Sequence, residues 1–179
     1  MKVWDRPVRV LHWTLVVSVA LAAITALTAL SFGETLHQAA GWVAAGAVLL
    51  RLLWSRLGGR HARFGSFVRS PRTTLAYAKA LLRRREPRHL GHNPLGGWMI
   101  VALLACIAGL ALSGWLYTSD WLWGNETVES WHLALSWALL GLVLLHLGGV
   151  LFTSQRQRDN LVRAMFTGDK RDAKPGDVD

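Results

Sequence analysis

The chain has 179 residues, 52% of them hydrophobic, with 20 Lys and Arg against 11 Asp and Glu for a net charge of +9. A chain this apolar and also this basic, with a sequence pI near 11.0, seldom forms a soluble globular domain. The stretch from Arg56 to His92 is basic but carries no base-reading or stacking module, which sets nucleic-acid binding aside.

In chain order, the first apolar span runs from Val10 to Phe32. Lys2, Arg6 and Arg9 precede it as in a signal peptide. However, the run is longer than a signal h-region, no small-x-small cleavage site follows, and His12 lies within it, so it reads as a retained helix. The second span is His37 to Leu57. After Gly58 and Gly59, the segment Ser70 to Arg85 opens with Ser-Pro and spaces Leu75, Ala78, Leu81 and Leu82 at helical intervals. That pattern predicts an amphipathic helix lying on the inner membrane surface. The third and fourth spans are Leu95 to Thr118 and Trp131 to Thr153. Each of the four reaches the roughly 20 residues needed to cross a bilayer core. Arg156 to Phe166 reads as a second surface helix, and Lys170 to Asp179, nearly devoid of apolar residues, as a disordered cytoplasmic tail. The expected fold is all-α: an integral membrane four-helix bundle over residues 1–169, with a cytoplasmic amphipathic helix between membrane helices 2 and 3.

Charge orients the bundle. Three Lys and Arg precede the first span, 11 fall between Arg51 and Arg88, and 6 follow Thr153, whereas the other two loops hold none. Positive-inside bias places the basic side and both termini in the cytoplasm. The same positive surface suits anionic membrane lipid. The outer segments carry only the acids Glu34, Asp120, Glu126 and Glu129. Most of the ten tryptophans fall near span ends, where an aromatic belt is expected.

Four histidines lie within these spans. His132 and His146 are fourteen residues apart on the fourth, which on a helix leaves them roughly 40° apart on one face and roughly 21 Å apart along the axis. Ionisable residues in membrane helices face the bundle interior and mark function. By depth His12 pairs with His146 on the inner side and His37 with His132 on the outer side, with the fourth helix supplying one member of each pair.

Zinc takes three or four protein ligands, and no Cys, Asp or Glu stands within a turn of His12 or His146 to complete such a set. Haem iron needs only two axial ligands, and a porphyrin suits an apolar bundle. Gly41, Gly46, Gly109, Gly114, Gly141, Gly148 and Gly149 could give it room; close helix packing is their commoner role. Cys106 is the single cysteine, so covalent attachment through C-x-x-C-H is excluded and two non-covalent b-type haems are expected. Arg9, Arg51 and Arg156 are available to neutralise inner-haem propionates. The outer haem has only neutral donors such as Thr127, Ser130 and Trp131. His92 is a reserve ligand for the inner haem, while His61 and His89 read as solvated loop residues. No catalytic residue is assigned.

The run Val3-Trp4-Asp5-Arg6-Pro7 with Arg9 and His12-Trp13, then His37 with Gly41, the loop Gly91-His92-Asn93-Pro94-Leu95-Gly96-Gly97, and His132 with His146 resemble the bacterial cytochrome b-561 family, which includes the cytochrome b subunits of nickel-iron hydrogenases. The resemblance covers nearly the whole chain, to about Arg171. It implies a four-helix inner-membrane protein with two b haems, ligated at His12, His37, His132 and His146, that passes electrons between the quinone pool and a redox partner. Hydrogenase-type members are longer, with an additional membrane helix, and this chain is similar to the short ones. Acidic outer loops favour a cationic c-type cytochrome as partner over an anionic substrate. Superoxide oxidation with electron delivery to quinone is the alternative as an enzyme, and a haem-free anchor subunit the structural alternative. A redox enzyme subunit as partner and a homodimer are both compatible with the sequence.

Overall fold

The computed structural model describes residues 1–28 and 32–178. Ala29 to Ser31, inside the expected first span, and Asp179 at the end of the expected tail lie outside the described residues. Among the described residues the elements are seven α-helices, α1 (Arg6–Leu27), α2 (Gly33–Leu57), α3 (Phe64–Phe67), α4 (Pro71–Leu82), α5 (Pro94–Tyr117), α6 (Glu126–Gln157) and α7 (Leu161–Thr167), with a 3₁₀ turn at Arg60–Ala62. Among the described residues α1, α2, α5 and α6 are long and apolar enough to cross a membrane.

Helix starts follow polar caps rather than the edges of the apolar runs. Asp5 Oδ1 accepts the Val8 amide at 2.9 Å, with Pro7 in the first turn, so α1 begins before Val10. Asn125 Oδ1 accepts the Thr127 and Val128 amides at 3.0 and 3.2 Å, so α6 starts at Glu126 instead of Trp131. Ser70 caps α4 through the Thr73 amide at 3.2 Å. Tyr77 is the buried residue of α4, while Leu75 and Leu82, seven residues apart on one face, are exposed.

The described residues group into two compact units, each discontinuous in sequence. The first comprises residues 1–9, 53–102 and 143–179. Val3 and Trp4 bury themselves on Ala164 and Met165, and their amides donate to Gly168 O at 2.9 and 3.1 Å. Gly168 ends α7 at φ 87°, where a Cβ would lie 2.7 Å from Trp4 O, so only glycine suits the position. Asp5 Oδ2 accepts from Trp54 Nε1 at 2.9 Å, joining the start of α1 to the end of α2.

One expectation fails in this unit. α6 continues through Gln157, breaks at Arg158 (φ 50°) and resumes as α7 under an Asn160 cap, so no helix runs unbroken from Arg156 to Phe166. The tail packs as far as Val178. Arg88, on the loop before α5, reaches Asp177 at 2.5 Å and Asp159 at 2.7 Å. The buried Lys170 Nζ donates to Leu90 O at 2.9 Å, and the Leu90 amide to Val178 O at 2.9 Å. Ion pairs and main-chain bonds, not apolar burial, tie this segment to the rest of the unit.

The second unit comprises residues 10–52 and 103–142. On α2 the buried Ala40, Ala44, Ala47, Val48 and Arg51 form one stripe. α5 and α6 approach closely in this unit: a Cβ on Gly109 would meet Leu135 at 3.2 Å, and Cys106 Sγ lies 3.4 Å from Leu135 O.

Candidate functional site

The second unit brings the rings of His37 of α2 and His132 of α6 next to each other. Their ring centroids are 6.1 Å apart and their planes are inclined at 63°. Both rings are half-buried, and both are held by Nδ1. His37 Nδ1 lies 2.9 Å from Ala22 O, a carbonyl that can only accept, so Nδ1 carries the proton and Nε2 a free lone pair. Thr25 stands beside it, Oγ1 at 3.4 Å, with its own hydroxyl donating to Leu21 O at 2.8 Å.

His132 is arranged in the same way. Its Nδ1 is 2.9 Å from Ser113 Oγ, and Ser113 Oγ donates to Leu110 O at 3.2 Å, which leaves the serine oxygen to accept the Nδ1 proton. Nε2 is again the basic nitrogen. Gly114 makes room for this ring, since a Cβ there would touch His132 Cε1 at 3.4 Å.

This chemistry fits an iron held by two imidazoles. Metal-ligating histidines almost always donate the other ring N–H to a backbone carbonyl or similar acceptor, which fixes the tautomer and raises ligand basicity. At a metal–imidazole bond length of about 2 Å, two rings on opposite sides of one ion have centroids roughly 6 Å apart. Among the described residues no group of three or more His, Cys, Asp or Glu is placed to hold a metal ion.

The other expected site residues fall as follows. His12, in the second unit, is half-buried, its ring edge-on to Trp13 with centroids 5.3 Å apart. His146 belongs to the first unit and is also half-buried. Arg51 is only 6% exposed and closes the α2 stripe fourteen residues after His37. That spacing repeats the one between His132 and His146. Arg9 Nη1 donates to Phe166 O, and its buried Nε has no hydrogen-bond partner among the described residues. Arg156 pairs with Glu86, Nε to Oε1 2.7 Å, and holds that carboxyl below its ordinary pKa. His92 sits between Trp4 and Phe67, with ring centroids 4.4 and 4.7 Å away. Of the glycines thought to make room for a porphyrin, Gly109 and Gly114 serve close packing, while Gly41, Gly46, Gly141, Gly148 and Gly149 border open space.

Helices of membrane length and a paired-imidazole site agree with a comparison against known families, in which the profile described as Prokaryotic cytochrome b561 matches residues 3–168. The chain belongs to the prokaryotic cytochrome b561 family. It is therefore a multi-pass membrane protein of the b-type cytochromes, a class that carries haem b in electron transport.

This cytochrome is similar to proteins described as "Probable Ni/Fe-hydrogenase B-type cytochrome subunit". The one from Bradyrhizobium diazoefficiens is 24% identical, with 94% of this chain and 85% of the relative covered. That from Azotobacter vinelandii is 26% identical, with 93% and 86% covered. The Escherichia coli hydrogenase 1 counterpart is 23% identical, with 93% and 88% covered. No solved structure matches.

Proposed function

We propose that this cytochrome holds two b haems and relays electrons across the membrane between the quinone pool and a redox partner. The observation that carries the proposal is the opposed His37 and His132 pair, each ring tethered through Nδ1 so that Nε2 is left as the ligand. His12 and His146 are proposed as the second pair on the sequence argument of depth and of shared face along α6. Haem, when bound, supplies a one-electron iron couple, and two imidazole ligands leave no open iron position for oxygen chemistry.

The chain's own residues do the rest. The Ala22 carbonyl and the Ser113 hydroxyl fix ring orientation and the tautomer that leaves Nε2 as the ligand. Arg9 and Arg51 are the proposed cationic partners of the inner haem's propionates. By positive-inside bias the loop carrying α4 and both termini face the cytoplasm. There the exposed Leu75 and Leu82 of α4 suit the membrane surface.

Two features bear on the partner. The descriptions of the relatives support a redox enzyme subunit such as a hydrogenase. The acids Glu34, Asp120, Glu126 and Glu129 favour a positive docking surface, as on a basic c-type cytochrome, and disfavour superoxide.

The test is the visible spectrum of the purified, oxidised protein as a quinol is added, with dithionite as endpoint and haem counted per chain. Two haems reduced by quinol are expected. Reduction by dithionite alone would sever the quinone link, and a folded protein without haem would refute the ligand assignment.

A further inference from the structure

Thr25 lies in the last turn of α1 and is buried, at 6% exposure. A buried hydroxyl in an apolar helix has to direct its one proton at an acceptor. That of Thr25 points back along its own helix, 2.8 Å from Leu21 O and 3.0 Å from Ala22 O. With the proton committed there, the oxygen keeps its lone pairs for another donor. Thr28 makes the same kind of bond, to Ile24 O at 2.8 Å, but is exposed.

What faces the Thr25 oxygen is a ring of the paired-imidazole site. His37 Nδ1 lies 3.4 Å from Thr25 Oγ1 and 2.9 Å from Ala22 O. Because the carbonyl can only accept, Nδ1 carries the proton, and among the described residues that proton stands between two acceptors. Ala22 O is nearer and takes the larger share; Thr25 Oγ1, toward the long end of hydrogen-bond distance, takes the smaller. Across the site, His132 Nδ1 has Ser113 Oγ at 2.9 Å in the corresponding place.

An acceptor at the far nitrogen of a ligating imidazole fixes the tautomer and strengthens its donation to the metal. Hydrogen bonding of this kind is one of the levers by which a protein sets haem potential. The Ala22 carbonyl is main chain and survives any side-chain change, so at His37 that lever is open to sequence through Thr25. We infer that Thr25 is a positioning residue for His37, whose hydroxyl oxygen lowers the midpoint potential of a haem held between His37 and His132. The inference rests on the haem reading of this site given above. Donation from Thr25 to Ala22 O works in the opposite direction, by competing for the carbonyl that serves His37. Leu21 O is the nearer acceptor of the hydroxyl proton, so the effect of Thr25 as acceptor prevails.

The test is a redox titration of the visible spectrum of the purified, haem-loaded full chain, with haem counted per chain and helix content followed by circular dichroism. Thr25→Val keeps the side-chain shape and removes the hydroxyl. One of the two midpoint potentials should rise while the other stays. Haem from that site should pass to excess apomyoglobin about three-fold faster, less than the roughly 10–100-fold cost of removing a ligand's main partner, because the Ala22 carbonyl remains. Thr25→Ser should restore the parent potential, and Thr28→Val, which deletes a hydroxyl that back-bonds in the same way, should leave both potentials unchanged. Ser113→Ala should move the same haem as Thr25→Val, with the two shifts adding in the double variant. Thr25→Ala gives an independent reading should valine disturb the packing. Two bound haems with both potentials unchanged or one lowered in Thr25→Val and Thr25→Ala, or a Thr25→Ser variant that behaves as Thr25→Val, would overturn the inference alone. A folded parent protein that binds no haem would instead overturn the haem reading, and this inference with it.

Discussion

Replacing Ser113 by Ala is expected to weaken haem at the His37 and His132 site without disturbing the helices. Ser113 is buried at 5% exposure, and its oxygen accepts from His132 Nδ1 at 2.9 Å. Alanine leaves that Nδ1 proton without its acceptor, a loss of about 1–3 kcal/mol for a buried donor. The same change read as metal affinity is roughly 10–100-fold, the usual cost of removing the partner that orients a ligating histidine. The assay is transfer of haem from the purified variant to excess apomyoglobin, with helix content followed by circular dichroism. One haem of the two should leave faster. Its midpoint potential should rise, because a less basic imidazole stabilises the oxidised iron less. Ser113→Thr retains a hydroxyl and should restore most of the loss. Cys106→Ala, two turns earlier on α5 with its sulfur beside Leu135 O, should change neither quantity. Haem transfer and potential in Ser113→Ala both equal to those of the parent protein would refute the tethered-imidazole reasoning.

Two further outcomes concern the first unit. Arg88→Met strips the counter-charge from Asp159, a pair 2.7 Å apart with side chains only 8% and 7% exposed. The expected loss is about 3–5 kcal/mol, as for breaking one side of a buried ion pair. It should appear as a lowered unfolding temperature and faster proteolysis after Lys170; an unchanged cleavage rate would show that the tail is held otherwise. Lys170 is held down to about 8 from 10.5, by burial first, with Asp159 and Asp177 opposing and Arg88 assisting. Between those two values the unfolded chain binds more protons than the folded one, so stability should rise with pH from about 8 toward 10. At neutral pH the burden of the buried cation is at most about 3 kcal/mol. Tyr77, pushed up to about 12 by burial, with Glu86 adding to it, opposes the trend only above pH 10. Thermal unfolding of Lys170→Met should lose the rise between pH 8 and 10, and retention of the full slope would assign it to another group.

Membrane class and the number of apolar spans were legible in the linear chain. Length and hydropathy report on the solvent a helix needs, and the fourteen-residue spacing of His132 and His146 is a property of the helix itself. What the linear chain could not supply was the state of each imidazole. Ala22 and Ser113 become partners of His37 and His132 only when consecutive helices pack against each other, and those partners decide which ring nitrogen keeps a lone pair. The tail shows the same limit from the other direction. Residues 170–178 have the composition of a disordered segment, yet Arg88, Asp159, Lys170 and Asp177 hold them in a charged cluster assembled from separate parts of the chain. Apolar burial leaves a periodic trace in sequence, whereas ion pairs and single hydrogen bonds between distant residues leave none, and here those bonds set both the imidazole geometry and the course of the tail.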